Sequence, residues 1–214
     1  MQCPLKFNLQ FITKTFKEEE KSIHLVKGEQ LHKQLEDYVN ARNGAGIMPL
    51  GFSPEVQTTI PYVDKLASLY GKLYPEAQIA CDISWKPTEW FGKDTAWRAI
   101  WDVTAINPAQ VYIGDYKSGK IYPYGDGFGQ LHLSAVIALE RFQDVPEVNA
   151  AYIYIEHKKI TPIKLKREDL SPAKEYFMKW FDKVQMDKTW DPTPNDNCKW
   201  CQATKAQCKF SRKL

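Results

Sequence analysis

The chain has 214 residues, 43% hydrophobic and 26% charged, with 11 Gly and 13 Pro. This composition excludes collagen-like, low-complexity and wholly disordered classes and leaves enough chain for one ordinary domain with its own core. A formal net charge of +3, from 29 Lys+Arg against 26 Asp+Glu, is compatible with a polyanionic partner without demanding one.

Leu31, Leu35 and Val39 recur at helical spacing across 28–43, and Gly44-Ala45-Gly46 supplies the stop. A second helix is predicted from Pro54 to Tyr70, with Ser53 as N-cap, Pro54 at the first helical position and Gly71 as terminator. From Gln78 the texture changes: 78–85, 97–106 and 110–117 are rich in β-branched and aromatic residues, with Pro, Gly and Asn between them, and read as three consecutive strands. A loop over 118–127 leads to a helix over 128–142, with Leu131, Ala135, Ala138, Leu139 and Phe142 on one side. A hairpin of 150–155 and 160–165 follows, then a last helix over 168–188 and a cysteine-rich tail beyond Pro192 and Pro194. Sheet, helix and sheet again is an α/β pattern. It reads as a single domain spanning the whole chain, in which a helical region (residues 1–75) precedes a core (residues 76–167) and a terminal helix with its cysteines (residues 168–214). No apolar run approaches the ~18 residues of a membrane span, and Met1 to Lys6 opens no secretory signal, so no membrane partner and an intracellular, cytoplasmic protein are expected.

On the strand ending at Lys117, Val111, Ile113, Asp115 and Lys117 share a face, which sets a carboxylate beside an ammonium. Asp102 lies within an apolar strand, where burial is costly unless it is paired or metal-bound. Asp102 and Asp115, with the carbonyl of Tyr116 between Asp115 and Lys117, form an oxygen-ligand set for Mg²⁺ or Mn²⁺. Such a metal lowers the pKa of a bound water, and Lys117 is placed to orient that water and stabilise the phosphoryl charge. The implied chemistry is phosphodiester hydrolysis. Of the five cysteines, Cys198, Cys201 and Cys208 crowd into the last seventeen residues, and Cys-x2-Cys is a chelate spacing. Zinc, an iron–sulfur cluster and reduced thiols remain open on the residues alone.

The core Asp102…Asp115-Tyr116-Lys117 resembles that of the PD-(D/E)xK nuclease superfamily. Gly28 to Glu36, with His32, resembles the metal-binding histidine helix of the RecB-type branch; Gln130-Leu131 resembles its glutamine motif, and Cys3-Pro4-Leu5-Lys6-Phe7 its N-terminal cysteine signature. The nearest branch is that of the RecB and AddB nuclease domains and the CRISPR-associated RecB-like exonucleases. The resemblance implies a restriction-endonuclease-like central mixed sheet flanked by helices, with metal ligation by His32, Asp102, Asp115 and the Tyr116 carbonyl. It further implies that Lys117 is catalytic, that Gln130 supports the site or binds DNA, and that Cys3, Cys198, Cys201 and Cys208 hold a [4Fe–4S] cluster. The function implied is a DNA exonuclease acting on single strands from an end, in recombination, repair or CRISPR-type processing. Two departures stand out. Ser134 occupies the position of a common family aromatic, and the tail's Cys-x2-Cys-x6-Cys is one residue longer in its second gap than is usual.

Plainer uses are set beside these. His32 borders an apolar stripe and suits a core histidine; Cys81 suits a buried small hydrophobe. Trp85, Trp90 and Phe91 suit loop packing, or stacking on unpaired bases. Lys120, Lys158, Lys159, Lys164, Lys166 and Arg167 suit solvated faces, or phosphate contacts. A catalytically silent DNA-binding adaptor and a structure-selective endonuclease are the rival functions, and an intact Asp102, Asp115 and Lys117 set weighs against the adaptor.

Overall fold

The computed structural model describes residues 3–16, 22–121 and 128–212, so positions 122–127 of the expected loop lie outside the described residues. The chain divides into two units, Ser22–Lys174 and Met1–Lys21 with Glu175–Leu214. In the smaller unit, helix α1 (Pro4–Phe7) runs into a wider turn over Asn8–Ile12, and Phe7 stacks on Trp190 at 6.0 Å.

The larger unit opens with α2 (Ile23–Arg42), five residues earlier than the apolar spacing predicts. Ser22 caps it by accepting the Leu25 N–H at 3.2 Å, and Gly28, expected at the helix start, lies within it. Helix α3 (Pro54–Tyr70) matches its expected bounds, with Gly71 at φ 89° closing it through an N–H bond to Ala67. Strand β1 (Leu73–Cys81) begins and ends earlier than the expected 78–85. As an edge strand it tolerates Pro75, and Trp85 turns out of it in a left-handed backbone with φ 68°.

Strands β2 (Trp97–Asn107) and β3 (Gln110–Lys117) form a hairpin about Pro108-Ala109, whose turn is held by Asn107 Oδ1 accepting the N–H groups of Ala109 and Gln110, both at 3.0 Å. Helix α4 (Gln130–Arg141) carries the chain over to β4 (Glu147–Tyr154), which pairs parallel to β3, and β5 (Lys159–Lys166) closes a β4–β5 hairpin. The result is a mixed five-stranded sheet in the order β1-β2-β3-β4-β5, antiparallel except between β3 and β4. Helix α5 (Leu170–Met186) follows.

Helices flank both faces. Leu31, Leu35, Val39, Val56, Val63 and Leu66 of α2 and α3 pack with Val103, Ala105, Tyr112, Tyr116, Ala151 and Ile153 of the sheet. Val111, Ile113 and Asp115 alternate to the other face, where α4 packs with Leu131, Ala135, Ala138 and Leu139 buried. Arg167, a candidate phosphate contact on sequence, serves the fold instead: its guanidinium donates to the carbonyls of Leu139, Phe142 and Val145 at 2.8–3.1 Å, capping the end of α4. Among the described residues no helix is long and apolar enough to cross a membrane.

Candidate active site

The β2–β3 ladder ends at the pair Val103–Gly114, and the next residues on the two strands are Asp102 and Asp115. Gly114 is needed there, because a Cβ would come 2.6 Å from Val103 and 2.9 Å from Ile153. Beyond this pair the Tyr116 N–H is taken by the Asp102 side chain, at 2.6 Å to Oδ2. Both carboxylates therefore sit where the strands part.

Lys117 Nζ lies 2.6 Å from Asp115 Oδ2 and donates to Gln130 Oε1 at 3.3 Å, while Gln130 Nε2 donates to Asp115 Oδ1 at 3.1 Å. Gln130, the first residue of α4, thus bridges the carboxylate and the ammonium. The Lys117 ammonium also lies 5.4 Å from the Tyr152 ring centroid.

His32 arrives from α2, and its Nδ1 stands 3.6 Å from Asp102 Oδ2. One turn earlier, Gly28 leaves room for Ser118 at the end of β3, whose Oγ would lie 2.7 Å from a Cβ at that position. The His32 ring packs edge-on to the Tyr116 ring, with the centroids 5.7 Å apart.

Glu76 is the residue that the sequence reading missed. The β1–β2 register sets it opposite Asp102, between the pairs Pro75–Val103 and Ala77–Trp101, and its backbone is left-handed with φ 48°. His32, Glu76 and Asp102 each offer one ligand atom, all within 4.8 Å of one another. The signal lay in Pro75-Glu76 belonging to β1, which a strand started at Gln78 leaves out.

Burial dominates the electrostatics. It lifts Asp102 to about 7, aided by the charge of Asp115 and opposed by the Tyr116 N–H and by Lys117. Burial also raises Asp115 against the pull of Lys117, raises Glu76 with help from Asp102, and lowers His32. A neutral imidazole beside carboxylates that resist ionisation is a donor set awaiting a cation, so these residues fit a divalent metal.

The remaining candidates lie in the smaller unit. Cys3, Cys198, Cys201 and Cys208 line one cavity, all four are free thiols, and the Asn195 N–H donates to Cys198 Sγ at 3.3 Å. Backbone N–H bonds to sulfur are a common feature of cluster-bound thiolates, so the donor set also fits a thiolate-ligated group. Cys81 is buried in the sheet, with its thiol pushed up to about 12 by burial. Glu36 pairs with Lys33 at 3.1 Å.

No curated protein matches the chain. Among solved structures, that of SSO0001 is 14% identical over 92% of this chain and 91% of the other, with a TM-score of 0.37, a distance at which the likeness bears on nothing further. The family model of the PD-(D/E)XK nuclease superfamily matches residues 1–209. The chain therefore belongs to the PD-(D/E)XK nuclease superfamily, a membership that implies a metal-dependent nuclease, hydrolysing phosphodiester bonds of DNA.

Proposed function

We propose that this protein is a RecB-type exonuclease that degrades single-stranded DNA from an end, in recombination, repair or CRISPR-type processing. The observation that carries the nuclease chemistry of this reading is the Gln130 bridge: a merely structural Asp115–Lys117 pair has no need of a third side chain that fixes both partners at 3.1 and 3.3 Å, and the single-strand and end preferences rest on the RecB-type resemblance. A bound Mg²⁺ or Mn²⁺ would supply Lewis-acid activation of water and of the phosphoryl oxygens, and His32, Glu76, Asp102, Asp115 and the Tyr116 carbonyl would hold it. Gln130 keeps the Lys117 ammonium turned to the carboxylates, where it orients the attacking water and offsets the negative charge that builds on the phosphate. Hydrolysis joins the water oxygen to phosphorus and breaks one bridging P–O bond, and the leaving oxygen takes up a proton.

Linear single-stranded DNA, labelled separately at each end and incubated with Mn²⁺, tests the reading against single-stranded circles. The linear strand should shorten from one end and the circle should survive. Cutting of the circle would make the protein an endonuclease.

His32→Ala and Glu76→Gln should each raise the Mn²⁺ concentration for half-saturation about tenfold or more, read by calorimetry without DNA. The histidine variant should favour Mn²⁺ over Mg²⁺ in rescue, since Mn²⁺ accepts more varied geometry. An unchanged isotherm would remove that residue from the ligand set.

The four cysteines are proposed to hold a [4Fe–4S] cluster, with Zn²⁺ as the alternative. Protein purified without oxygen should be brown, with about four irons per chain, and Cys3→Ser or Cys198→Ser should lose both colour and thermal stability. Colourless protein with one zinc and a wild-type Cys3→Ser would exclude the cluster.

A further inference from the structure

The connection between β1 and β2 divides the aromatics that the sequence groups together. Trp85 is buried and stacks on Trp97 at 5.1 Å with the planes 8° apart, so it belongs to the packing of the sheet. Trp90, half-buried, and Phe91, 83% exposed, stand edge to face at 6.5 Å. The Arg98 guanidinium sits 5.3 Å from the Phe91 ring centroid and 5.7 Å from that of Trp90.

A single exposed aromatic means little. Here the exposure is held in place. Gly92 N–H donates to the Glu89 carbonyl at 3.0 Å and Thr95 N–H to the Gly92 carbonyl at 3.1 Å. Thr95 Oγ1 adds a bond to the Glu89 carbonyl at 2.8 Å, and the N–H groups of Thr88 and Ala96 tie both flanks to the end of β1. The turn therefore presents its rings at little ordering cost on binding.

The cluster also continues into the active site. Arg98, Ile100 and Asp102 share one side of β2, and the first two are exposed. Their partners on β1 are Ala80 opposite Arg98 and the exposed Gln78 opposite Ile100, with Glu76 opposite Asp102. The exposed Arg98, Ile100 and Gln78, beside the buried Ala80, thus lead over about 13 Å, four residue steps of β2, from the aromatic–guanidinium cluster to the half-buried Asp102 and Glu76.

Charge does not explain this arrangement. Lys86, Lys93 and Arg98 are matched by Asp82, Glu89 and Asp94 over 82–98, so net phosphate neutralisation there is slight. What the cluster offers is the face of a ring beside a guanidinium plane, the chemistry that receives an unpaired nucleobase. Paired bases keep their faces in the duplex stack and cannot use it.

We propose that Trp90, Phe91 and Arg98 form a stacking platform for one unpaired base of the substrate strand, a few nucleotides from the scissile phosphate. The platform rests on the single-strand reading above and adds to it the place where the strand is gripped. The test uses the whole protein in metal-depleted buffer with two labelled probes of about twelve nucleotides, an oligothymidylate and an abasic strand of equal backbone charge. The wild type should prefer the base-bearing strand by roughly 5- to 150-fold. Phe91→Ala, at an exposed position, and Arg98→Gln should each bring that ratio close to one. A preference unchanged in both variants, in a protein that does cut single strands with Mn²⁺, would overturn the platform alone. A wild type that binds neither probe and cuts no single strand would overturn the exonuclease reading, and the platform with it.

Discussion

Lys117→Ala should unfold at nearly the parent temperature and hydrolyse DNA at least about 10²–10³-fold more slowly. The Lys117 side chain is 32% exposed, so removing it opens no core cavity. What disappears is the one ammonium that lies 2.6 Å from Asp115 and is turned toward it by Gln130. Without it, the phosphate's developing charge loses its fixed cation, and Asp115, whose ionised form burial already disfavours, loses the neighbour that opposed this. Lys117→Arg should not restore the rate, because a planar guanidinium does not reproduce a compact ammonium held at a single point. Single-turnover hydrolysis beside a thermal melt measures both halves. A parental rate in folded Lys117→Ala would remove this lysine from the chemistry.

Asp102→Asn should do two opposite things: abolish metal-dependent cleavage and stabilise the metal-free protein at alkaline pH. Asp102 titrates near 7 in the folded chain, principally because it is buried, against about 3.9 for an unfolded aspartate. Between those values the folded chain holds the extra proton, so the stability linked to this group is complete below about pH 4 and lost as the pH rises through 7. Asparagine mimics the protonated form at every pH. The variant should match the parent at pH 4 and exceed it at pH 8 by up to about 4 kcal/mol, three pKa units at about 1.4 each. Mn²⁺ at pH 8 should raise the parent's melting temperature much more than the variant's. Parallel melting curves for the two proteins from pH 4 to 8 would show that Asp102 is not held against its own charge.

Local signals carried the elements that are locally determined. Ser53-Pro54 and Gly71 bound α3 because a fixed φ and a left-handed glycine are properties of single residues. Asp102, Asp115 and Lys117 stood out by residue type and spacing, His32 and Gln130 only through the family resemblance, and the fold brings all five to one end of the β2–β3 split. The start of β1 was hidden because Pro75 reads as a strand breaker until β1 is known to be an edge. Glu76 went with it, since its meaning comes only from standing across from Asp102. Trp85 and Phe91, six residues apart, differ through a partner elsewhere in the chain: Trp97 takes the first ring into the packing, while Phe91 is left 83% exposed.

The single parallel pairing in the sheet, β3 with β4, divides the assembly of the site into an early and a late event. Asp102 and Asp115 belong to one hairpin closed by a two-residue turn, so the pair can meet on the timescale of hairpin formation, on the order of microseconds. Gln130 reaches them only when the crossover through α4 has docked, a non-local closure that forms more slowly. A refolding chain therefore owns its two carboxylates before it owns the residue that aligns them with Lys117. Pairing of β2 with β3 should recover ahead of catalysis, while full metal affinity also waits for His32 and Glu76 to join Asp102.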